Sequence, residues 1–405
     1  MAATSYLYHC FGLIGYTHLR TEYQNGHIYF HVELQREKRR CRGCNAQWHE
    51  LVLAGTFTRT FHGLPIGRRA QFVVLHGHEH YCTQCNKVLR EPIRFADGKQ
   101  RYLRSFARFV RDLCALMPIK HVARFLGVGW DMVKNIYKQH LTRKAKKRSF
   151  DKVRYIAVDE FAISKGHIYM SIVMDLETGA ILFAAEGRDE QALLPFFKKL
   201  KRIKAPIKAV AMDMWKPYLK AVEAVFNDAV DVVHDPYHVV SHANKALDQI
   251  RQDIAKKLTG EERKYIKGTR YLLLKGFEKL TMSSMEKLVD LMEVNAPLYA
   301  AYLMKEELRM FWNCPDKQTG EAFLNIWIAD AQRIGLKPMQ KIAKMLTRHR
   351  KGLVSYFQHR ISTGPLEGLN NKLKVLKRQA YGFRDKEYFK LRLLFLHESN
   401  AVFTG

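Results

Sequence analysis

The pattern of apolar and polar positions changes character several times along the chain. Up to residue 95 the apolar runs are short, HIYFHVEL and RRAQFVVLHGHEH among them, and read as strands. Residues 96–142 switch to helical periodicity. The basic run Arg143-Lys144-Ala145-Lys146-Lys147-Arg148 then reads as a linker. From Val153 the runs VRYIAV, HIYMSIVMD and AILFAAE predict strands, followed by a helix, QALLPFFKKL. A strand, IKAVAMD, a helix, WKPYLKAVEAVF, and a strand, VDVVHD, come next. Strands that give way to strand–helix alternation predict a mixed sheet flanked by helices. From about Pro236 to Arg350 the pattern is helical with caps and breaks, too long for a single connection in a compact domain. It predicts an all-helical insertion, and a final helix begins near Pro365 and runs through LEGLNNKLKVLKR. No internal repeat or low-complexity segment interrupts this order.

Charge adds a partner to the picture. The 405 residues include 68 basic and 39 acidic side chains, a formal net charge of +29. Clustered Lys and Arg gain affinity for a polyanion by releasing counterions from its phosphates, so the surplus predicts a nucleic-acid partner. The surplus is densest in the first 150 residues, with 26 basic and 9 acidic side chains; the rest of the chain carries 42 and 30. At 47% apolar and 12% aromatic, the chain can build true cores. It has no run of ~20 apolar residues to span a membrane. The first twenty residues, MAATSYLYHCFGLIGYTHLR, lack a charged segment followed by a clean apolar one. The expectation is a cytoplasmic protein with no membrane partner.

Four of the seven cysteines form two close pairs, Cys41-Arg-Gly-Cys44 and Cys82-Thr-Gln-Cys85. Each pair can place two thiolates on one metal ion, and two pairs close a tetrahedral site, which predicts structural Zn2+ held by Cys41, Cys44, Cys82 and Cys85. In a reducing compartment the pattern favours metal over disulfides. His78 and His80 lie close by as substitutes for a thiolate. Cys10, Cys114 and Cys314 are isolated and read as core residues.

The segment IKHVARFLGVGWDMVKNIYKQHL reads as two helices about a Gly-centred turn. Val122, Ala123 and Leu126 form the inner stripe of the first helix. Gly127 sits where the chain needs a positive φ, and Val128, Val133 and Ile136 continue the stripe. A preceding helix over Ser105–Met117 supports the pair. The arrangement matches the DNA-binding helix-turn-helix unit. The exposed face of its second helix presents Trp130, Asp131, Lys134, Asn135 and Lys138. The basic run beyond it, Arg143, Lys144, Lys146, Lys147 and Arg148, extends the expected DNA footprint.

Carboxylates at the ends of buried strands point to metal-dependent phosphodiester chemistry, in which acids converge on a pair of cations. Asp159 follows the strand run VRYIAV, and Asp213 ends IKAVAMD just before a helix. Capping that helix is the rival role for Asp213, and Glu160 rivals its neighbour Asp159 as the ligand. Asp175, in MDLETG, reads as a hairpin-turn residue. The third acid is Glu367, opening the basic helix after Pro365, with Asp235 in VVHDPYHVV as its rival. Hard Mg2+ or Mn2+ suits oxygen ligands of this kind. His238, one turn beyond Asp235, is placed to contact the scissile phosphate. Asn371, Lys374, Lys377 and Arg378 follow Glu367 and would hold the DNA backbone.

The succession of CxxC pairs, helix-turn-helix, VDEF, AMDMWKPY, HDPYHVV and EGLNNKLKVLKRQAYGFRD resembles the ISL-three family of bacterial insertion-sequence transposases. The resemblance covers nearly the whole chain and is most specific from Glu367 to Phe383. It implies a ribonuclease-H-like catalytic domain interrupted by the helical insertion, with Asp159, Asp213 and Glu367 at the family's DDE positions. It also implies binding to terminal inverted repeats, excision of the element and strand transfer into target DNA. The expected layout is therefore a zinc-binding, zinc-ribbon-like module (1–95) and a helix-turn-helix domain with basic linker (96–150). The catalytic domain follows in two parts (151–243 and 346–405) around the insertion (244–345). Two ends must be joined together, so a homodimer on double-stranded DNA is expected, in a bacterial, nucleoid-associated setting. A structure-specific nuclease or resolvase of the same fold, and a non-catalytic DNA-binding regulator, are the competing readings. The two DNA-reading modules argue against the first, and the presence of all three acids against the second.

Overall fold

The structure, a computed structural model, describes residues 6–164, 168–379 and 383–396. Contacts divide the chain into one unit built mainly from residues up to Lys147 and a second that starts at Arg148. Among the described residues no helix is long and apolar enough to cross a membrane.

The first unit opens with a short helix, α1 (Tyr6–Phe11), and five strands: β1 (Tyr16–Gln24), β2 (His27–Leu34), β3 (Leu51–His62), β4 (Gln71–Cys82) and β5 (Lys87–Arg90). The sheet order is β1-β2-β4-β3, with β5 also paired to β4. Strand β4 is the organiser: it runs parallel to β2 and antiparallel to β3 and β5. Its apolar residues Val73, Val74 and Leu75 are buried, which is why its pattern is plain in the sequence. Strand β1 is mostly exposed and carries little apolar signal, and in β3 the apolar Val52, Leu53 and Ala54 are exposed, so only Phe57–Phe61 alternates as a half-buried strand should.

Three helices follow: α2 (Arg104–Leu116), α3 (Ile119–Leu126) and α4 (Trp130–Lys146). Gly127 ends α3 in the left-handed region at φ 65°, ψ 30°. Its N–H donates to Arg124 O and the Val128 N–H donates to Ala123 O, the two-bond stop that favours glycine. Val122, Ala123, Val133 and Ile136 of the stripe are buried, while Leu126 and Val128 are half-buried. The basic run is not a linker. Arg143, Lys144 and Lys146 form the last turn of α4, where cations complement the partial negative charge of a helix C-terminus.

The second unit holds a five-stranded mixed sheet. Strands β6 (Tyr155–Ser164), β7 (Ile168–Asp175) and β8 (Ile181–Glu186) form an antiparallel meander. After α5 (Glu190–Arg202) comes β9 (Ala209–Met212), then α6 (Lys216–Phe226) and β10 (Asp231–His234). Strand β9 runs parallel to β6, and β10 parallel to β9. The order β8-β7-β6-β9-β10 with flanking helices fits a ribonuclease-H-like α/β fold. One face buries Ile156, Val158, Val210 and Met212 against Phe197 of α5 and Tyr218 of α6.

From β10 the chain runs directly into helices: α7 (Pro236–Lys257), α8 (Gly260–Gly268), α9 (Arg270–Leu274), α10 (Met282–Val294), α11 (Ala296–Met310), α12 (Lys317–Arg333) and α13 (Lys337–Arg348). These share a core of their own around Tyr302, Phe311 and Trp327, extending to Leu353 and Val354 in α14 (Arg350–Val354). After α15 (Tyr356–His359), α16 (Gly364–Gln379) and α17 (Lys386–Leu394) return to the sheet. They cover its second face, where Leu366, Leu369, Leu373 and Phe389 pack on Ala157, Ile172 and Ala211.

Phe197 is fully buried between α5 and the sheet. Its replacement by alanine should cost roughly 3–5 kcal/mol through lost burial and the cavity left behind. A urea titration of Phe197→Ala should show a correspondingly lowered midpoint.

Candidate active site

Strand alternation sorts the acids by face. Along β6, Ile156 and Val158 belong to the face covered by α5 and α6, while Ala157 belongs to the face covered by α16 and α17. Period-two alternation therefore puts Asp159 on the α16 face and Glu160 on the α6 face. The contacts agree. Asn370 of α16 donates Nδ2–H to Asp159 Oδ2 at 3.3 Å. Glu160 instead shares its surroundings with Tyr218 of α6, whose hydroxyl lies 2.8 Å from Ser171 Oγ.

Asp159 stands in the middle of β6, not at its end as the sequence suggested. Beyond Ala157, however, β6 no longer pairs with β9 and continues only as a hairpin with β7. Asp159 is thus at the carboxyl end of the parallel part of the sheet, the position from which side chains project into a crevice. Asp213 follows β9 directly, and alternation from Ala209 and Ala211 turns it to the same face as Asp159. It does not cap α6: its Oδ1 accepts the neighbouring Met214 N–H at 2.6 Å, and the cap position belongs to Trp215, which makes no side-chain cap bond.

The site is electrostatically crowded. Burial raises the Asp159 carboxyl, and the nearby Asp213 raises it further, against the opposing pull of the Glu160 amide, His238 and Asn370. Burial also raises Glu160, with Asp159 and Asp213 adding to it. His238 of α7 brings Nδ1 to 3.4 Å from Asp213 Oδ2. An inward carboxylate whose ionisation burial and a neighbouring carboxylate oppose is a donor that a divalent cation fits, because the cation favours the charged form.

Asp235 has a different occupation. It is 2% exposed. Its Oδ1 accepts the Tyr237 and His238 N–H groups at 2.8 and 3.3 Å, capping α7. Its Oδ2 accepts the Thr363 N–H at 2.7 Å, just before α16. Both oxygens are engaged with backbone, so the carboxylate holds structure together. Asp175 is the hairpin-turn residue expected, accepting from the Glu177 N–H and the Thr178 hydroxyl.

Glu367 lies in the first turns of α16, one turn before Asn370, and its side chain falls outside the described part of the structure. Asn370, passed over in favour of its neighbour, touches Asp159, while Asn371 is exposed. The three-residue spacing from Glu367 was the signal that could have singled it out. Lys374 and Arg378 are exposed on the same helix. Lys377 is not free for a ligand, since its ammonium donates to the Ile163 and Ala162 carbonyls at the end of β6. Arg148 likewise donates to the Ile181 carbonyl at 2.7 Å. Both residues therefore also hold the sheet. Arg188, unforeseen, lies over the rings of Tyr169 and Trp215 at 4.5 and 5.0 Å and draws Glu160 towards ionisation.

In the first unit the four paired cysteines converge. Cys41 Sγ lies 3.6 Å from Cys85 Sγ, and Cys44 Sγ lies 3.5 Å from Cys82 Sγ. All four sulfurs are within 4.8 Å of one another. Disulfide sulfurs would be ~2 Å apart; a tetrahedral centre with metal–sulfur bonds of ~2.3 Å has sulfur edges of about 3.8 Å. The backbone N–H groups of Cys44 and Gly43 draw the Cys41 thiol down to about 6. Cys85 lacks such amides, and burial beside the other thiols pushes it up to about 12. His78 and His80 do not join this centre but group with Glu91. Cys114 and Cys314 are buried core residues, and the Cys10 side chain lies outside the described residues.

On α4, Trp130 and Asn135 are exposed, and so are Arg143, Lys144 and Lys146, with Lys147 just beyond the helix end. Lys134 and Lys138 are half-buried; the Lys134 ammonium sits 4.8 Å from the centre of the Trp130 ring and 3.5 Å from Asp131.

The double use of Asp235 can be checked. Asp235→Asn keeps one acceptor oxygen but faces an amide group towards a backbone N–H, and should lose about 1–3 kcal/mol of stability in a urea titration. An unchanged midpoint would show that the carboxylate is not holding these elements.

The sequence pattern of a family described as transposase matches residues 156–393, from β6 to α17. The pattern of the helix-turn-helix domain of transposase family ISL3 matches residues 91–141. The chain is 32% identical over 370 residues to the transposase for insertion sequence element IS1001 of Bordetella parapertussis, covering 89% of each. It is 30% identical over 262 residues to the transposase for insertion sequence element IS1557 of Mycobacterium tuberculosis, covering 59% of each. Among solved structures, a Drosophila P element transposase strand transfer complex matches with a TM-score of 0.35 at 9% identity, over 65% of this chain and 81% of that one, a likeness too loose to bear on the fold. With one pattern spanning the sheet, its insertion and the returning helices, and another the helix-turn-helix, the chain belongs to the ISL3 family of transposases.

Proposed function

We propose that this transposase binds the terminal inverted repeats of an insertion sequence, cuts the element's ends and joins the resulting 3′-hydroxyls to target DNA. Asp159, Asp213 and Glu367 are the proposed carboxylates. The observation that carries the reading is the meeting of Asp159 and Asp213 on the one sheet face that α16 covers, with Asn370 touching Asp159. Glu367 stands one helical turn from Asn370, the spacing at which side chains share a helix face.

Mg2+ or Mn2+ held by these acids would supply a polarised attacking hydroxyl and a stabilised leaving oxygen. The remaining work falls to the chain. Asn370 fixes the orientation of the Asp159 carboxylate, and His238 faces Asp213 from α7, within reach of a phosphate or leaving strand. Asn371, Lys374 and Arg378 are the exposed donors on α16 for flanking phosphates. Trp130, Lys134, Asn135 and Lys138 of α4, with Arg143, Lys144, Lys146 and Lys147 at its end, are proposed to read and grip the repeat. The four cysteines are proposed to hold one Zn2+ that ties the loop of Cys41 and Cys44 to the hairpin of β4 and β5. Two such chains would act together, because two ends are cut and joined.

Strand transfer of a labelled terminal-repeat duplex in Mg2+ tests the whole reading. Joined products are expected; cleavage without joining would indicate a nuclease, and binding alone a regulator. Asp159→Asn, Asp213→Asn and Glu367→Gln should each reduce cleavage by at least about a hundredfold, since a metal ligand supports several kcal/mol of transition-state stabilisation. Binding of the repeat, followed by gel shift, should stay near the wild-type level. Full cleavage by any one variant would remove that residue from the site. For the cysteines, Cys41→Ser combined with Cys44→Ser should release the sulfur-bound zinc, measured by elemental analysis, and weaken binding to the repeat.

A further inference from the structure

Strand β4 carries a second cluster of potential ligands. His78 and His80 are two residues apart, so they project from one face of the strand. Glu91 follows β5, the antiparallel partner of this part of β4, and its backbone N–H donates to the His78 carbonyl at 3.0 Å. One ligand atom from each of the three side chains lies within 4.8 Å of the other two. His80 is only 6% exposed and Glu91 only 4%.

Hydrogen bonding leaves this cluster unsatisfied. Both ring nitrogens of His80, Nδ1 of His78 and both carboxylate oxygens of Glu91 are buried without a hydrogen-bond partner. Buried polar atoms are almost always paired, and one atom from each of these three side chains comes close enough to the others to share a partner. The surroundings fit a cation. His78 turns Nε2 towards Glu33 Oε1 at 3.6 Å, the outer carboxylate arrangement that orients a metal-ligating imidazole through its other nitrogen. Arg39 also approaches, with Nε 3.8 Å from Glu91 Oε2 and Nη2 2.5 Å from Glu33 Oε1. A guanidinium alone would make the group a buried ion-pair network. It stands 3.8 Å from the Glu91 carboxylate, however, too far for a hydrogen bond, and leaves both carboxylate oxygens without one.

We propose that His78, His80 and Glu91 form a second metal site in the first unit, distinct from the four-cysteine centre and selective for a borderline divalent cation of the Zn2+ class. Two imidazoles and a carboxylate are the mixed nitrogen–oxygen set that such ions prefer, with a fourth position open to water. The site would lock the end of β5 onto β4, and through Glu33 onto β2, making the first unit a two-metal scaffold.

The test is a Co2+ titration of the metal-free full chain, paired with X-ray absorption of the Zn2+-loaded protein, all in an Asp159→Asn, Asp213→Asn background so that the proposed catalytic cation site adds no equivalent of its own. The background chain should take up a first equivalent with the intense sulfur charge-transfer bands of a thiolate site, then a second with weak bands of nitrogen–oxygen ligands. Cys41→Ser with Cys44→Ser should keep the nitrogen–oxygen equivalent, and His78→Ala with His80→Ala should keep only the all-sulfur one. Glu91→Gln, nearly isosteric, should weaken the second equivalent at least tenfold without disturbing the first. Saturation of the background chain at a single, sulfur-only equivalent would overturn the proposal, whatever the variants do. So would a second equivalent that survives in His78→Ala with His80→Ala.

Discussion

The Asp235 carboxylate carries a constraint on which the catalytic unit depends. At the end of β10 one oxygen starts α7, and the other accepts the N–H of Thr363, 128 residues further along the chain. Between these two bonds lies the helical insertion with its own core. The insertion can therefore be long without displacing the return of the chain, because its two ends meet at one buried anion. That meeting point sits one turn before His238 and immediately before α16. A backbone tie thus brings both the histidine facing Asp213 and the helix covering Asp159 to the same place.

From there the geometry of the sheet does the rest. The acids share a face because β6 and β9 are in parallel register through Ala157 and Ala211, and each acid is two residues beyond its alanine. A one-residue slip would send both carboxylates into the apolar layer under α5 and α6. Leu366, Leu369, Leu373 and Leu376 hold α16 on the sheet by its buried stripe, and the Lys377 ammonium fastens it to the carbonyls at the end of β6. Apolar packing and a few backbone bonds thus position the charged groups, which by themselves repel.

Around its cysteines the first unit relies less on apolar packing. Its long strands β1 and β3 expose most of their surface, and the apolar cluster around the paired cysteines is small. Elsewhere the unit has an apolar core of its own, with Val32, Phe61, Val73, Leu75, Leu103 and Phe106 buried, but beside the cysteines the proposed metal ties along β4 would take the place of such packing. This is the circumstance in which metal ligation contributes most to folding.

Much of this was legible in the chain itself. Residue types and spacing determined the cysteine pairs, the stop at Gly127, the buried strands of the mixed sheet and the helical insertion, because each rests on local chemistry or on periodicity that burial imprints on sequence. An exposed strand such as β1 carries little such imprint, and the basic run after Leu141 looked like a linker because charge hides the helix that continues through it. Which neighbour faces the site was decided only by the tertiary structure. Asp159 and Glu160, or Asn370 and Asn371, differ by one position in sequence but by opposite sides of a sheet or helix in space, and only packing tells which side is covered by what. The same holds for Asp235, whose carboxylate resembles a ligand in sequence until the fold brings Thr363 to it, and for Glu91, which joins two histidines only because β5 folds back on β4.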